Sequence, residues 1–248
     1  MSSLKPIGSP FIELPSVDST NNYAMGLVHA GMARHGTAVF AHEQTKGKGQ
    51  QNKQWLSQKD KNIALSLIIE PIPLLLPDLF LLSMTVAIAT RSFFDKQTKG
   101  EVKIKWPNDI YWRDRKAGGI LIENVITGNT WKYAVAGIGL NINQTDFNEL
   151  QSKAVSLEQI TGKTYQPLSL AKDLCRFLDL SFQLLLKKPS EIIEEYKEHL
   201  YKLNEPVKLK KTNRIFEAVI KDVTTSGQLV VMHALEETFS VGEVEWII

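Results

Sequence analysis

Residues 47–55 combine glycines with basic side chains in a way that suits the binding of a small anion. The segment reads Gly-Lys-Gly-Gln-Gln-Asn-Lys-Gln-Trp, with Lys48 and Lys53 as its cations. Glycine lets the backbone approach a ligand closely, and successive backbone N–H groups can form a concave anion site. The segment therefore predicts a loop that wraps an anionic group, and a plain solvent-exposed basic loop is the alternative.

A second segment places a carboxylate, an amide and two lysines around a turn. Residues 105–111 read Lys-Trp-Pro-Asn-Asp-Ile-Tyr, and Lys116 follows. Because proline restricts the preceding residue to an extended backbone, we expect Asn108 and Asp109 to lie at a strand end. There they can face a ligand or its Mg²⁺, while Lys116 can stabilise charge that develops on a phosphoryl or carboxyl oxygen. A hairpin turn with surface charges is the alternative.

A third segment is glycine-rich and ends in asparagines. Residues 137–143 read Gly-Ile-Gly-Leu-Asn-Ile-Asn. Glycines inside a strand mark the close approach of another backbone or a ligand. Asn141 and Asn143 share one face of that strand, so their amides could read the edge of a heterocycle. Turn-forming asparagines at the end of a strand are the alternative.

Several other kinds of site are excluded by the sequence. The single Cys175 rules out a disulfide framework and a CxxC metal or redox site. The Gly-Lys-Thr triplet at 162–164 lacks the P-loop glycine, since position 157 is leucine. The Gly-Ile-Gly at 137 lacks the third glycine of a dinucleotide fingerprint, since position 142 is isoleucine.

Composition and charge limit the partners of the chain. Its 248 residues, 43% hydrophobic and 23% charged, are typical of a globular protein with one large or two unequal domains. A net charge of +2 is too balanced for a protein that binds nucleic acid or an anionic membrane. Prolines and acidic residues interrupt the most apolar stretch, residues 63–89, and no secretory signal is visible. We therefore expect a cytoplasmic protein with neither nucleic acid nor membrane as a partner.

The hydrophobic pattern predicts an α/β region followed by a small all-β region. Predicted helices begin near Asn21 and span 78–95, 168–186 and 190–203. Predicted strands span 37–41, 62–69, 102–105, 110–111, 119–124 and 133–142, with a hairpin turn at Gly128-Asn129. After Asn204 the hydrophobic period changes from 3.6 to 2, and five short strands predict a small barrel. We therefore divide the chain into domains 1–203 and 204–248.

The motifs resemble, in order and spacing, those of the biotin protein ligases. The resemblance covers roughly residues 11–145 and extends to the C-terminal region. It is carried by Ser19-Thr20-Asn21, Gln44-Thr45-x-Gly47-x-Gly49, Trp55, Lys105-Trp-Pro-Asn-Asp109, Lys116-x-x-Gly119-Ile-Leu and the segment 137–143. It implies a mixed-sheet α/β (α+β) catalytic domain of the class II synthetase type with a C-terminal SH3-like β-barrel. It also implies a monofunctional ligase, because the motifs begin at residue 19 and leave no room for an N-terminal DNA-binding domain.

The resemblance further implies an activity. Biotin is activated with ATP, as its Mg²⁺ complex, to biotinyl-5′-AMP, and is then transferred to a lysine of a biotin carboxyl carrier protein. No tightly bound prosthetic group is implied, and a homodimer is left open.

The same resemblance assigns roles to particular residues. Lys116 is the catalytic cation, and Asp109 lies near Mg²⁺. The biotin-binding residues are Ser19, Thr20, Asn21, Gln44, Gly47, Lys48, Gly49, Lys116 and Gly119. The ATP-binding residues are Lys48, Gln50, Trp55, Lys105, Asn108, Lys116 and Asn141.

The basic loop departs from the family pattern, which commonly reads Gly-Arg-Gly-Arg-Arg-Gly-Arg. Here Gln50, Gln51 and Asn52 stand in its second half, and lysines replace the remaining arginines. A lysine supplies a point charge without the bidentate fork of arginine, so individual contacts of this loop are expected to differ.

Two other functions are compatible with parts of the sequence. A lipoate or octanoate ligase or transferase shares the implied catalytic fold but resembles the 105–109 segment only loosely. A non-enzymatic module that binds through an SH3-like barrel needs no ATP, and the acidic balance of residues 204–248 argues against nucleic acid as its ligand.

Overall fold

A seven-stranded mixed sheet forms the centre of the computed structural model, which describes residues 5–247 except the side chain of Asn52. Its strands are β1 (Phe11–Leu14), β2 (Ala38–Ala41), β3 (Asn62–Ile69), β4 (Val102–Lys105), β5 (Asp109–Trp112), β6 (Arg115–Thr127) and β7 (Thr130–Asn141). Their spatial order is β1-β2-β3-β7-β6-β5-β4. Only β1 and β2 pair in parallel, and the other neighbours are antiparallel. The predicted mixed α/β sheet is thus confirmed.

The helices cover the two faces of this sheet unequally. They are α1 (Thr20–His29), α2 (Leu79–Thr98), α3 (Leu157–Thr161), α4 (Pro167–Lys187) and α5 (Pro189–Glu198). Successive residues of a strand point to opposite faces. Leu65 and Leu67 of β3 belong to the large apolar core with α2 and α4, whereas Ile68 packs with Ala24 of α1. Most of the apolar core therefore lies on the α2–α4 side.

Helix α2 is long and rich in apolar residues. By length and composition alone, Leu76–Thr98 could cross a membrane, but half of its most apolar window is buried inside the protein. Helices α4 and α5 both pack against it. Such burial is typical of the central helix of a globular core.

The C-terminal region forms a second sheet of five antiparallel strands. They are β8 (Pro206–Lys211), β9 (Arg214–Val223), β10 (Leu229–Met232), β11 (Glu236–Phe239) and β12 (Glu245–Ile247), in the order β11-β10-β9-β8-β12. The five predicted strands are confirmed, but closure into a barrel is not. The sheet is open, with β11 and β12 at its edges. The predicted domain boundary at Asn204 stays a prediction.

The second sheet packs on the first region through a glycine turn. Gly227 has a φ of +90°, and a Cβ at this position would collide with the ring of Phe80 on α2. The indole N–H of Trp106 donates to the carbonyl of Gly227 at 3.0 Å. Ile220 of the second sheet and Phe94 of α2 belong to one continuous core.

Two elements differ from the sequence prediction. Strand β1 was not predicted, since its four residues carry a weak alternating pattern. The last helix ends at Glu198 and not at Leu203, because the next residues pair with β4: the amide of Ile104 donates to His199, and the amide of Tyr201 donates to Ile104, both at 2.8 Å. Tertiary pairing here overrides local helix preference.

We expect Gly227→Ala to lower the free energy of unfolding by about 2–4 kcal/mol, because it adds a clash with Phe80 to an unfavourable positive φ. Gly128→Ala is the matched control, since Gly128 has a φ of +57° in a turn with open space around it. Gly128→Ala should lower the free energy of unfolding by only about 1 kcal/mol. Denaturant unfolding of both variants provides the measurement, and equal losses would show that the Phe80 contact contributes nothing.

Candidate functional site

A cavity of about 760 Å³ opens where the glycine-rich parts of β6 and β7 meet the basic loop and the C-terminal sheet. Apart from Gly47 and Asn143, every candidate site residue predicted from the sequence lines it. These residues are Ser19, Thr20, Asn21, Gln44, Lys48, Gly49, Gln50, Trp55, Lys105, Asn108, Asp109, Lys116, Gly119 and Asn141. Gly47 lies behind the lining, packed against the backbone of Trp55 and the amide of Gln44.

Glycines form the floor of the cavity. Side chains of the protein itself pack directly against their backbone and leave no room for a Cβ. A Cβ at Gly139 would come within 2.5–2.9 Å of three atoms of the Trp55 indole, and one at Gly137 would collide with the amide of Asn21. Gly119 pairs with Gly139 across β6 and β7. The close approach expected from these glycines is thus made by side chains that line the cavity.

A polar network fixes one end of the cavity. The amide and the hydroxyl of Thr20 both donate to Oε1 of Gln44, at 2.8 and 3.0 Å. The buried hydroxyl of Ser66 lies 2.7 Å from the Thr20 hydroxyl and 2.6 Å from Oδ1 of Asn21. Since Oε1 of Gln44 accepts these bonds, its NH₂ group is directed towards Gly47. The start of α1 and the end of β2 are thereby held in one arrangement.

Glu123 connects this network to the basic loop, and the sequence motifs did not identify it. One carboxylate oxygen accepts from Nδ2 of Asn21 at 2.8 Å, and the other pairs with Nζ of Lys48 at 3.3 Å. A signal was present, since Glu123 is two and four residues beyond Leu121 and Gly119 and so shares their face of β6.

The basic loop is a small hairpin. The amide of Gly49 donates to the carbonyl of Lys53 at 2.7 Å, and the amide of Trp55 donates to that of Gly47 at 3.0 Å. A short 3₁₀ turn at Gln50–Asn52 forms its tip. Gln50 and Lys53 line the cavity beside Lys48, so the tip and both arms border the same space.

Lys116 and Asp109 form an ion pair, with Nζ 2.6 Å from Oδ1. They lie on adjacent strands, and the pairing of β5 with β6 shifts by one residue between Ile110 and Tyr111. Such a bulge redirects side chains. The side-chain Nδ2 of Asn108 donates to the backbone carbonyl of Ile120 at 2.6 Å and anchors the turn before Asp109. The second segment therefore builds a rigid charged corner of the cavity.

Lys105 lies in a more apolar setting. Its ammonium is 3.4 Å from the hydroxyl of Tyr111 and 5.1 and 5.3 Å from the ring centroids of Tyr111 and Trp246. Burial lowers the pKa of Lys105 to about 8, and the charges of Lys116 and Lys53 act in the same direction. A lysine with this pKa is only partly protonated slightly above neutral pH.

The two asparagines that end β7 have structural partners. Nδ2 of Asn141 donates to the carbonyls of Lys116 and Val155, at 3.3 and 3.1 Å. Asn143 exchanges two hydrogen bonds with the backbone of Tyr165, and it is absent from the described lining of the cavity. The geometry therefore favours the alternative interpretation of Asn143 as an anchor of the chain after β7.

The C-terminal sheet supplies part of the wall, which no motif indicated. Lys210, Thr212 and residues 241–246 line the cavity. These residues approach the site only through the packing of one sheet on the other, so their local sequence carried no signal.

Asp109 could approach a metal ion only together with a ligand. Among residues 5–247, no group of three or more His, Cys, Asp or Glu side chains could hold a metal ion. Mg²⁺ is commonly bound by one or two carboxylates together with substrate phosphates. A single carboxylate at the charged corner fits an ion that arrives with a polyphosphate, and does not fit a resident metal.

Comparisons with known proteins agree with this geometry. A model of the Biotin/lipoate A/B protein ligase family matches residues 13–141, slightly more than half of the chain. The bifunctional ligase/repressor BirA of Escherichia coli K12 is 30% identical over 233 residues, which cover 90% of this chain and 69% of that protein. The BirA of Bacillus spizizenii W23 is 36% identical over 162 residues, and the alignment spans 49% of its length, so about half of that relative is matched.

A solved structure shows the same fold. Biotin protein ligase from Aquifex aeolicus, in complex with biotin and ATP, superposes with a TM-score of 0.80 at 24% identity, over 96% of this chain and 98% of that one. The motifs that meet in the cavity all lie within or beside the region that the family model matches. With that match and the extent of the alignment to the E. coli protein, the chain belongs to the Biotin/lipoate A/B protein ligase family.

Proposed function

We propose that this protein activates biotin with ATP and transfers it to a lysine of a biotin carboxyl carrier protein. The observation that carries the proposal is the single cavity in which the three motif segments meet around Lys116. The Biotin/lipoate A/B protein ligase family of the chain and the Aquifex aeolicus biotin protein ligase, solved with biotin and ATP, support the same activity.

In the proposed first step, a carboxylate oxygen of biotin attacks the α-phosphorus of ATP, and the bond to the bridging oxygen of pyrophosphate breaks. In the second step, the amine of the carrier lysine attacks the acyl carbon of biotinyl-5′-AMP, AMP leaves, and the amine loses a proton. Both steps place negative charge on phosphate oxygens. Positioned cations therefore contribute more than a covalent nucleophile would.

We assign the two ends of the cavity to the two substrates. The polar network at Thr20, Asn21 and Gln44 suits the uncharged, hydrogen-bonding end of biotin. The corner at Lys116 and the loop with Lys48 suit its carboxylate and the α-phosphate. Lys105, Asn108, Trp55 and Asn141 then belong to the nucleotide side.

Two finer assignments belong to the same proposal. Mg²⁺ would be held by Asp109 with the phosphates of ATP, and would supply charge screening there. Residues 204–248 would form an SH3-like domain, which is supported by the five antiparallel strands and by their place on the cavity wall.

The experiment mixes the protein with ATP, Mg²⁺, a biotin carboxyl carrier domain and either biotin, lipoate or octanoate. Mass spectrometry should show an ATP-dependent gain of the biotin mass on one lysine of the carrier, and biotinyl-5′-AMP when the carrier is left out. Formation of only the lipoyl or octanoyl adenylate would replace the proposal by the rival activity of the same fold. No adenylate from any acid would favour a binding module.

We expect Lys116→Ala to slow adenylate formation by about 10²–10³-fold, the typical effect of losing one fixed charge at a developing oxyanion. Binding of biotin should weaken less, because the polar network lies at the other end of the cavity. The measurement is single-turnover formation of the adenylate. Arg115→Ala is the matched control, since Arg115 precedes Lys116 on β6 and packs on Trp112 instead. Near-normal adenylation in Lys116→Ala would remove this residue from the mechanism.

We expect Gln50→Arg to slow the escape of biotinyl-5′-AMP from enzyme without carrier. Gln50 lines the cavity, and an arginine there can add charge-assisted bonds worth about 1.5–3 kcal/mol to the phosphate. Gln58→Arg adds the same charge at an exposed position outside the lining and is the control. Filter trapping of labelled adenylate gives the rate, and identical escape from both variants would mean that position 50 does not reach the phosphate.

A further inference from the structure

The lysines of the cavity differ in how their charge is balanced. Lys116 is paired with Asp109, and Lys48 is paired with Glu123. The ammonium of Lys105 forms no ion pair with any carboxylate in residues 5–247, and its hydrogen-bond partner there is the hydroxyl of Tyr111. A mostly buried amine without a carboxylate partner is costly, so something else must hold it in place.

Aromatic rings surround this amine. Trp246 and Tyr111 present their rings to Nζ of Lys105 at 5.3 and 5.1 Å. Tyr201 packs between them, with centroid distances of 5.0 Å to Tyr111 and 5.9 Å to Trp246, and its hydroxyl donates to Asp114 at 2.7 Å. Tyr111 and Trp246 face the amine and Tyr201 packs on both of them, so the three rings form an aromatic cage on one side of Lys105.

Trp246 is the member of the cage that comes from the C-terminal sheet. It lies on β12, opposite Leu209 of β8. Its indole nitrogen is buried and has no hydrogen-bond partner among the described residues. Trp246 therefore acts through the face of its ring, and no hydrogen bond of its indole N–H holds it in place.

We propose that Trp246 is a positioning residue that holds the Lys105 amine, unpaired, for the phosphates of the nucleotide. This inference rests on the proposed function and deepens it, because it makes the last strand of the C-terminal sheet part of the nucleotide site. A cation over aromatic faces is attracted to them but keeps its donors for an incoming anion. A carboxylate partner would instead have to be displaced.

The test measures the binding of ATP to the full chain by calorimetry. Trp246→Phe keeps an aromatic ring at this position, so its dissociation constant for ATP should stay close to that of wild type. Trp246→Ala removes the ring, so the dissociation constant for ATP should rise roughly tenfold. Biotin binding should be unchanged, and it serves as the check that the variant is folded.

Two further variants complete the design. Ile247→Ala is the matched control, since Ile247 neighbours Trp246 on β12 and is absent from the cavity lining. It should behave as wild type. Lys105→Met should weaken ATP binding by itself, and adding Trp246→Ala to it should weaken binding no further, which assigns the effect of Trp246 to Lys105.

Wild-type affinity for ATP in Trp246→Ala, or additive losses in the double variant, would overturn the inference and leave the proposed function intact. A protein that shows the expected coupling of Trp246 and Lys105 but forms no adenylate would reject the proposed function alone. If wild type binds no ATP with or without biotin, both are rejected.

Discussion

The absence of side chains at facing positions of β6 and β7 is the constraint on which the site depends. Gly119 and Gly139 are paired across the two strands, and Gly137 lies two residues further along β7. Only glycine lets the Trp55 indole and the Asn21 amide lie directly on the sheet. With any Cβ there, the loop after β2 and the start of α1 would move away, and the cavity would lose two of its walls.

The positions of the charged side chains in the cavity depend on strand register as well as on composition. The shifted pairing of β5 with β6 accompanies the Lys116–Asp109 pair, while Glu123 takes up Lys48 further along β6. Each pair fixes a cation in position at the cost of part of its attraction for an anion. Lys105 differs, because aromatic rings face its amine and it forms no ion pair within residues 5–247. The nucleotide side therefore contains the cation most responsive to an incoming phosphate.

The sequence predicts what depends on local pattern and misses what depends on packing between distant segments. The apolar run of β3 and the hairpin at Gly128 follow directly from their residues, and the glycines of β7 predict close approach. Glu123 carries only a weak signal, its shared face with Gly119 and Leu121 on β6, and its partners Asn21 and Lys48 lie far away in the chain. Trp246 carries no such signal, because it becomes part of the site only through the packing of one sheet on the other. Asn143 shows the converse, since a polar residue next to a motif is used to anchor the backbone of Tyr165.

The open C-terminal sheet explains how a small region can complete a site built mainly elsewhere. Edge strands that do not pair with each other leave β12 free to lie along the cavity wall, where a closed barrel would hold it against β11. The sheet is held on α2 by the Gly227–Phe80 contact and by the Trp106 hydrogen bond. Trp106 is also the residue that follows Lys105. Trp106, which docks the second sheet, and Lys105, whose amine faces Trp246 of that sheet, are therefore neighbours in the chain. Movement of one displaces the other.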